Sequence, residues 1–334
     1  MIPTPPRESN NLILFDTSAG TDNLGDFIIM HYCEAHLREV FAGQSLFVTK
    51  VPTHLPGGKQ IRQLCHQSLH RIVCGTNILK TSILRTRLWK LSPLDGLTLR
   101  NLCLMGVGWG SYTRYSPDPY TAWMYRSILA GEKSGYLHSV RDTYTLKRLQ
   151  SLGFNNVINT ACPTMWSLTP EHLARIPTAK ADRVLLTLTH YRANPAADKA
   201  FIHLAKQAYQ EIYFWPQQAQ DLAYLIQLGE AEGVHILDGW FEVYDHLLQQ
   251  GHLDVIGSRL HGGIHALNRL CRTLILSVDN RASEIAKDTA LPIADRTDLA
   301  TIEAFITHPC PIHLTLPWTA ITRWKQQFCN PRRD

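Results

Sequence analysis

Six consecutive residues, Ser258-Arg259-Leu260-His261-Gly262-Gly263, collect several means of handling an anion. Arg259 offers five donors in a planar fork that matches a carboxylate or a phosphate. His261 exchanges a proton near neutral pH. Gly262 and Gly263 leave the N–H groups of a helix start open, and the helix dipole adds partial positive charge there. Ser258 stands beside them as a further binding residue. Each has a purely structural alternative: Arg259 paired with a nearby carboxylate, His261 satisfied inside the core. Their conjunction on one strand-to-helix turn points to binding and proton transfer.

The elements that must position these residues are readable around them. An apolar run at 255–257 predicts a buried parallel strand. Ile264, Leu267 and Leu270 predict one face of the helix that follows. A second strand is expected at 273–278. It ends in Asp279-Asn280-Arg281 and leads to a helix over 282–288 with Glu284 in its first turn. In open α/β sheets ligands bind at the carboxyl ends of the strands. Both polar turns fall there, so Arg281 and Glu284 join the candidate binding residues.

The same alternation runs through most of the chain. Strands are expected at 12–15, 46–51, 71–74, 102–105, 135–140 and 156–159, then at 184–188, 212–215 and 234–237. Helices are expected after several of them. This pattern implies α/β architecture: two Rossmann-like parallel-sheet domains facing a central cleft. The expected boundaries are residues 1–167 for the first domain and 183–317 for the second. Residues 168–182, with Pro170, Pro177 and little apolar pattern, read as a linker. A last helix within 318–334 is placed back on the first domain by analogy with GT-B glycosyltransferases. Residues 1–10 read as a loose tail.

Other strand ends carry polar residues. Asn23 and Asp26 either cap the helix that begins there or face a ligand, Asp26 then taking a proton from a hydroxyl. Arg141 and Asp142 either pair and cap or line the cleft, with Asp142 a second candidate base. Arg192, at the end of the second half's first strand, is a surface arginine or a second anion contact. Arg85, Arg87, Trp89 and Lys90 mix basic and aromatic character, as a solvated segment or a wall for a carbohydrate. Gly106-Val107-Gly108-Trp109-Gly110 is G-x-G-x-G, not the dinucleotide fingerprint; with Tyr112, Arg114 and Tyr115 after it, it reads as a turn and loop. His261 and His265 share a helical face, but the H-E-x-x-H glutamate and a third ligand are lacking, so no metal is expected.

Composition bounds the rest. Apolar residues make up 45% of the 334 and charged residues 18%, which suits buried sheets and argues against disorder. The net charge of +5, with sixteen histidines besides, suits an anionic small substrate or peripheral contact with an acidic membrane face. It is too scattered to argue nucleic acid. None of the eight cysteines forms a C-x-x-C pair; they read as reduced core thiols. With no apolar leader and no membrane-length apolar run, a cytoplasmic protein is expected, and the basic charge permits a place at the inner membrane face.

Gly257-Ser258-Arg259-Leu260-His261-Gly262, then Ala266-Leu267, Asp279-x-Arg281-x-x-Glu284 and Leu291-Pro292, resemble the signature of the polysaccharide pyruvyltransferases. Asn23-Leu24-Gly25-Asp26, Val140-Arg141-Asp142-x-Tyr144-Thr145 and Cys162-Pro163-Thr164 are similar to that family's earlier motifs. Two departures stand out: Leu270-Cys271-Arg272-Thr273 where a glycine and a proline are usual, with Arg272 able to alter what binds nearby, and Ala290 where glycine is common. The resemblance implies transfer of a pyruvyl group from phosphoenolpyruvate, without a cofactor, to a sugar diol of a polysaccharide or its precursor, free or lipid-linked. It implies donor contacts from Arg259, Arg192, Arg281 and the helix start, His261 as acid, and Asp26 or Asp142 as base. A sugar-nucleotide glycosyltransferase of sialyltransferase type and a non-catalytic carbohydrate-binding protein are the alternatives.

Overall fold

The structure is a computed structural model that describes residues 9–85, 88–110, 112–113 and 115–329. Most of the tail read at 1–10, together with Arg87 and Arg114, lies outside the described residues. The chain divides into two compact units: Met1–Thr21, Ile29–Pro163 and Pro317–Asp334 form the first, Asp22–Ile28 and Thr164–Leu316 the second.

The first unit contains β1 (Ser9–Asp16), most of α1 (Leu24–Val40), β2 (Phe47–Pro52), α2 (Lys59–His66), β3 (Ser68–Cys74), α3 (Pro93–Thr98), β4 (Cys103–Met105), α4 (Pro119–Ile128), β5 (His138–Val140), α5 (Thr143–Ser151) and β6 (Val157–Asn159). A parallel sheet runs in the order β2-β1-β3-β4, and β5 and β6 form a parallel pair. β1 and β3 are buried because their apolar runs are nearly continuous, as strands covered on both faces must be. Ile13, Phe15, Val73, Leu104, Trp109 and Tyr125 anchor the core.

The second unit contains α6 (Pro170–Leu173), β7 (Arg183–Thr187), α7 (Pro195–Ala208), β8 (Glu211–Phe214), α8 (Ala219–Gln227), β9 (His235–Ile236), α9 (Phe241–Gln249), β10 (Leu253–Gly257), α10 (Leu260–Asn268), β11 (Arg272–Ser277), α11 (Asn280–Thr289), β12 (Ile293–Asp295) and α12 (Leu299–Thr307); α13 (Trp318–Gln326) belongs to the first unit. Its six parallel strands run β12-β11-β10-β7-β8-β9. Order reverses between β7 and β10, which makes the gap beyond their carboxyl ends the topological switch point of this sheet.

The expected alternation is present, with strand and helix ends shifted by a few residues. Three helices went unread: α2, α3 and α6, the last inside the segment read as a linker. PLDGLT is too short to display a helical period, and KQIRQLCH carries one of only two turns, in Ile61, Leu64 and Cys65. Residues 168–182 are not a linker. They hold α6 and bury Leu168, Leu173 and Ile176 within the second unit. The domain boundary also differs at the other end, because Asp22–Ile28 counts with the second unit. Arg272 lies at the amino end of β11, away from the strand's carboxyl end. It is buried against Asp254 at 2.6 Å and the Phe305 ring, so it braces the core and has no part in binding.

Candidate functional site

Thr187 at the end of β7 sets the geometry of the switch point. Its carbonyl accepts from the Ser258 N–H at 2.9 Å and its hydroxyl from the Arg259 N–H at 3.3 Å. A Cβ on Gly257 would lie 2.2 Å from the Thr187 hydroxyl, so β10 can approach β7 this closely only with glycine there. The Ser258 hydroxyl bonds Thr189 at 2.9 Å; it ties two strand ends together. α10 then starts with Arg259 in the cap position and no side-chain cap. The helix start therefore presents the positive end of its dipole without an acceptor from the cap side chain. Gly263 lets this helix lie on β11, since a Cβ would come 2.5 Å from Ile275. His261, half-buried, is the second residue of the helix.

The fork of Arg259 is already occupied. The residue is 3% exposed. Its Nε donates to Asp221 at 2.9 Å and to the Leu188 carbonyl at 3.0 Å, and its Nη2 to Asp221 at 2.6 Å and Gln218 at 3.0 Å. Asp221, fully buried in the first turn of α8, also accepts from His190 and from the Gln218 N–H. Arg259 is thus a pillar joining β7, β10 and α8, and the expectation of a guanidinium open to a substrate anion is corrected to that extent. Arg281 is corrected in the same way. Its Nε donates to both oxygens of Asp279, at 3.0 and 2.8 Å, and its Nη2 to the Tyr191 hydroxyl at 2.6 Å. Glu284 pairs with Lys287 one helical turn on, at 2.6 Å, as an ordinary surface pair rather than a binding group. Arg192 is exposed on the single turn His190–Arg192 and has no partner among the described residues.

A residue the sequence did not single out connects the site. Gln217, just past the end of β8, is 3% exposed. Its Nε2 donates to Asn23 Oδ1 at 2.8 Å, and its backbone carbonyl accepts from the Leu24 N–H at 3.0 Å. Asn23 in turn caps the start of α1 through the Gly25 N–H at 3.1 Å and reaches Asp26 at 3.3 Å. On the other side, Gln217 Oε1 lies 3.3 Å from where a Cβ of Gly262 would be, and the Trp215 ring 3.5 Å. An amide bonded to Asn23 therefore lies beside the first turn of α10, all within the second unit. Gln217 Oε1 and Trp215 Nε1 are buried and unpartnered among the described residues, on two side chains that lie beside Gly262. Tyr244 stacks on Trp215 with ring centroids 4.0 Å apart and donates to the Gly262 carbonyl at 2.8 Å. The signal available in the sequence was position alone: Pro216-Gln217-Gln218 follows a strand's carboxyl end.

Arg141 and Asp142 lie in the first unit. Asp142 is fully buried and caps α5, its Oδ1 accepting from the Thr145 N–H at 2.6 Å; its Oδ2 accepts from Tyr112 at 3.3 Å and Arg141 at 3.4 Å. Both oxygens are engaged, so the reading of Asp142 as a base gives way to a helix cap. Arg141 is 1% exposed, and Nη2 has no partner among the described residues. Gly108 makes room for it, since a Cβ would sit 2.3 Å from its Nε; this gives the G-x-G-x-G turn a packing role. Burial pushes the Tyr112 hydroxyl beside this pair up to about 12. Trp89 is buried edge-on to Phe15 and cannot stack on a sugar. His265 is buried and pairs with Asp245 at 2.9 Å; among the described residues no cluster of His, Cys, Asp or Glu is arranged to hold a metal.

Residues 23–280 match the family model described as polysaccharide pyruvyl transferase. The match begins at Asn23 and takes in the Gln217 bridge and the whole of α10. No curated protein matches the chain by sequence. Among solved structures, the chain is similar to Methanocaldococcus jannaschii UDP-GlcNAc 2-epimerase in complex with UDP-GlcNAc and UDP, with a TM-score of 0.53 and 10% identity over 94% of this chain and 98% of that one. It is similar also to the S. aureus MnaA–UDP co-structure, with a TM-score of 0.52 and 11% identity over 90% of this chain and 91% of that one. At such identity the likeness is one of fold, the α/β architecture called GT-B. Among the described residues no helix is long and apolar enough to cross a membrane.

Proposed function

The chain belongs to the polysaccharide pyruvyl transferase family, and on that premise we propose that it transfers the pyruvyl group of phosphoenolpyruvate to two hydroxyls of a sugar, in a polysaccharide or its precursor. The methylene carbon of the donor gains a proton, two C–O bonds form to the sugar oxygens, and the C–O bond to phosphate breaks with its electron pair. Of the two protons the hydroxyls lose, one balances the new methyl group and the other leaves on phosphate.

In this reading the first turn of α10 receives the donor's anionic end, with Arg192 as the exposed cation and Arg259 as the buried one behind it. His261 supplies the proton to the methylene carbon or shields the departing phosphate. Asp26 accepts the hydroxyl proton, which its hydrogen bond from Asn23 at 3.3 Å orients it to do. What supports the reading is the placement of Gln217: one buried amide bonds Asn23 on the loop that carries Asp26 and lies beside the helix start that carries His261. No cofactor is called for by this chemistry.

The test is incubation with phosphoenolpyruvate and a panel of free and lipid-linked sugars, following phosphate release and an acceptor heavier by one pyruvyl ketal. His261→Ala is expected to abolish turnover while the melting temperature is kept; turnover near wild type would remove His261 from the mechanism. A thermal shift with sugar nucleotides and none with phosphoenolpyruvate would overturn the donor assignment.

A further inference from the structure

The basic charge of this protein is not spread evenly. Residues 53–131 contain 10 of the 33 lysines and arginines but only Asp95 and Asp118 of the 28 acids. The remainder of the chain carries 23 basic residues against 26 acidic ones. The whole positive surplus therefore resides in one stretch of the first unit. Its two acids are consumed locally. Asp95 is buried, caps α3 and pairs with Arg62 at 3.0 Å; Asp118 caps α4.

The same stretch exposes large aliphatic side chains. Leu84 is 62% and Leu97 61% exposed, with Leu88 and Leu94 also exposed and Trp123 beside them. These positions are joined into one surface. α3 packs on α4, and Gly96 meets the Trp123 ring so closely that a Cβ would lie 2.7 Å from it. The segment leading to Leu84 is fastened to the start of α4 by the Ile83 N–H to the Thr121 hydroxyl and the Asp118 N–H to the Thr81 carbonyl, both 3.0 Å. Arg85, Lys90 and Arg100 are exposed among the leucines. Arg100 folds back on the carbonyls of Gly96 and Leu99 and holds its charge next to Leu97.

We propose that this face docks the protein on an anionic lipid bilayer, with the leucines and Trp123 entering the acyl boundary and the arginines and lysines meeting the headgroups. Two observations select lipid over another polyanion. Four of the exposed apolar groups, Leu84, Leu88, Leu94 and Leu97, are aliphatic, and leucine gains nothing from a nucleic acid or an acidic sugar, whereas it does gain from the acyl boundary. The tryptophan of the basic run, Trp89, which could have stacked on a sugar or a base, is turned into the core. The uncompensated surplus of cations matches the negative potential of an anionic leaflet. The inference does not depend on the chemistry proposed above.

Sedimentation with vesicles tests it on the full chain, using phosphatidylcholine alone and phosphatidylcholine with roughly one third phosphatidylglycerol. The protein is expected to pellet with the anionic vesicles and to be released by high salt. Removing each basic charge costs roughly fivefold in partitioning, so Arg85→Glu with Lys90→Glu is expected to weaken binding by about 25-fold or more. Leu84→Glu with Leu97→Glu tests the apolar half in the same way. Ile226→Glu, an equally exposed site on α8 of the second unit, is the control that leaves binding unchanged. All five substituted side chains are exposed, so melting temperature and phosphate release with a soluble acceptor are expected to stay at wild-type values. Wild-type protein remaining in the supernatant with anionic vesicles at low salt would overturn the proposal, as would both double variants pelleting like wild type. Retention on a soluble acidic polysaccharide without vesicle binding would overturn it in favour of a sugar-binding face.

Discussion

Replacing Asp221 by asparagine tests the architecture of the site most directly. Asp221 is fully buried, and both its oxygens receive Arg259, with the His190 ring nitrogen and the backbone N–H groups of His190 and Gln218 completing its shell. Asparagine keeps the shape but not the charge, and it turns one acceptor into a donor that faces other donors. Arg259, 3% exposed, is left as an uncompensated buried cation, and breaking such a pair from one side costs about 3–5 kcal/mol. For a unit of this size each kcal/mol shifts the melting temperature by about 2–4 °C. The expected loss is then roughly 6–20 °C in the transition of the second unit, measured by scanning calorimetry. The double replacement Asp221→Leu with Arg259→Met removes both charges at similar volume, and is expected to recover most of that loss. A shift of less than about 2 °C in the single variant would refute the reasoning, because the pair would then not be the brace that holds β7, β10 and α8 together. A double variant no better than the single one would show that hydrogen bonds to backbone, not the charge pair, carry the stability.

Two further outcomes follow from other positions. Gly25→Ala places a Cβ 2.6 Å from Gln217 Nε2 and 3.1 Å from Asn23 Oδ1; it is expected to break the bridge and lower phosphate release about five- to tenfold, the worth of one hydrogen bond of about 1 kcal/mol, with the fold kept, and wild-type release would rule the bridge out of catalysis. In the first unit, burial pushes His138 down to about 4, with the hydrogen bond to the Ala130 carbonyl opposing it only in part. Its folded value lies below the unfolded one of about 6.5, so its contribution is fully present above that pH and is lost as pH falls towards 4. The size is on the order of 3 kcal/mol, and denaturant titrations between pH 7 and pH 4 should show the slope flatten in His138→Gln.

The alternation of apolar runs and amphipathic stretches was enough, by itself, to determine two parallel α/β sheets, because a strand buried on both faces and a helix buried on one leave different periods in the sequence. It was enough also to mark the turn from Ser258 to Gly263 and the helix start at Asn23, since glycines, an uncapped helix and short polar side chains are local requirements. What each polar group does was decided only by tertiary structure. Arg259 and Arg281 look alike as open forks in the sequence, and nothing local shows that Asp221, from a helix 38 residues earlier, fills one while neighbouring Asp279 fills the other. Asp142 and Asp26 are both acids at helix starts; the depth at which Tyr112 and Arg141 close over Asp142 separates them. Gln217 carried no motif, yet the sheet order brings the end of β8 beside Gly262 and makes that amide the bridge. Pairing between distant segments depends on which chain ends the fold brings together, and a linear pattern of hydrophobicity holds no record of that.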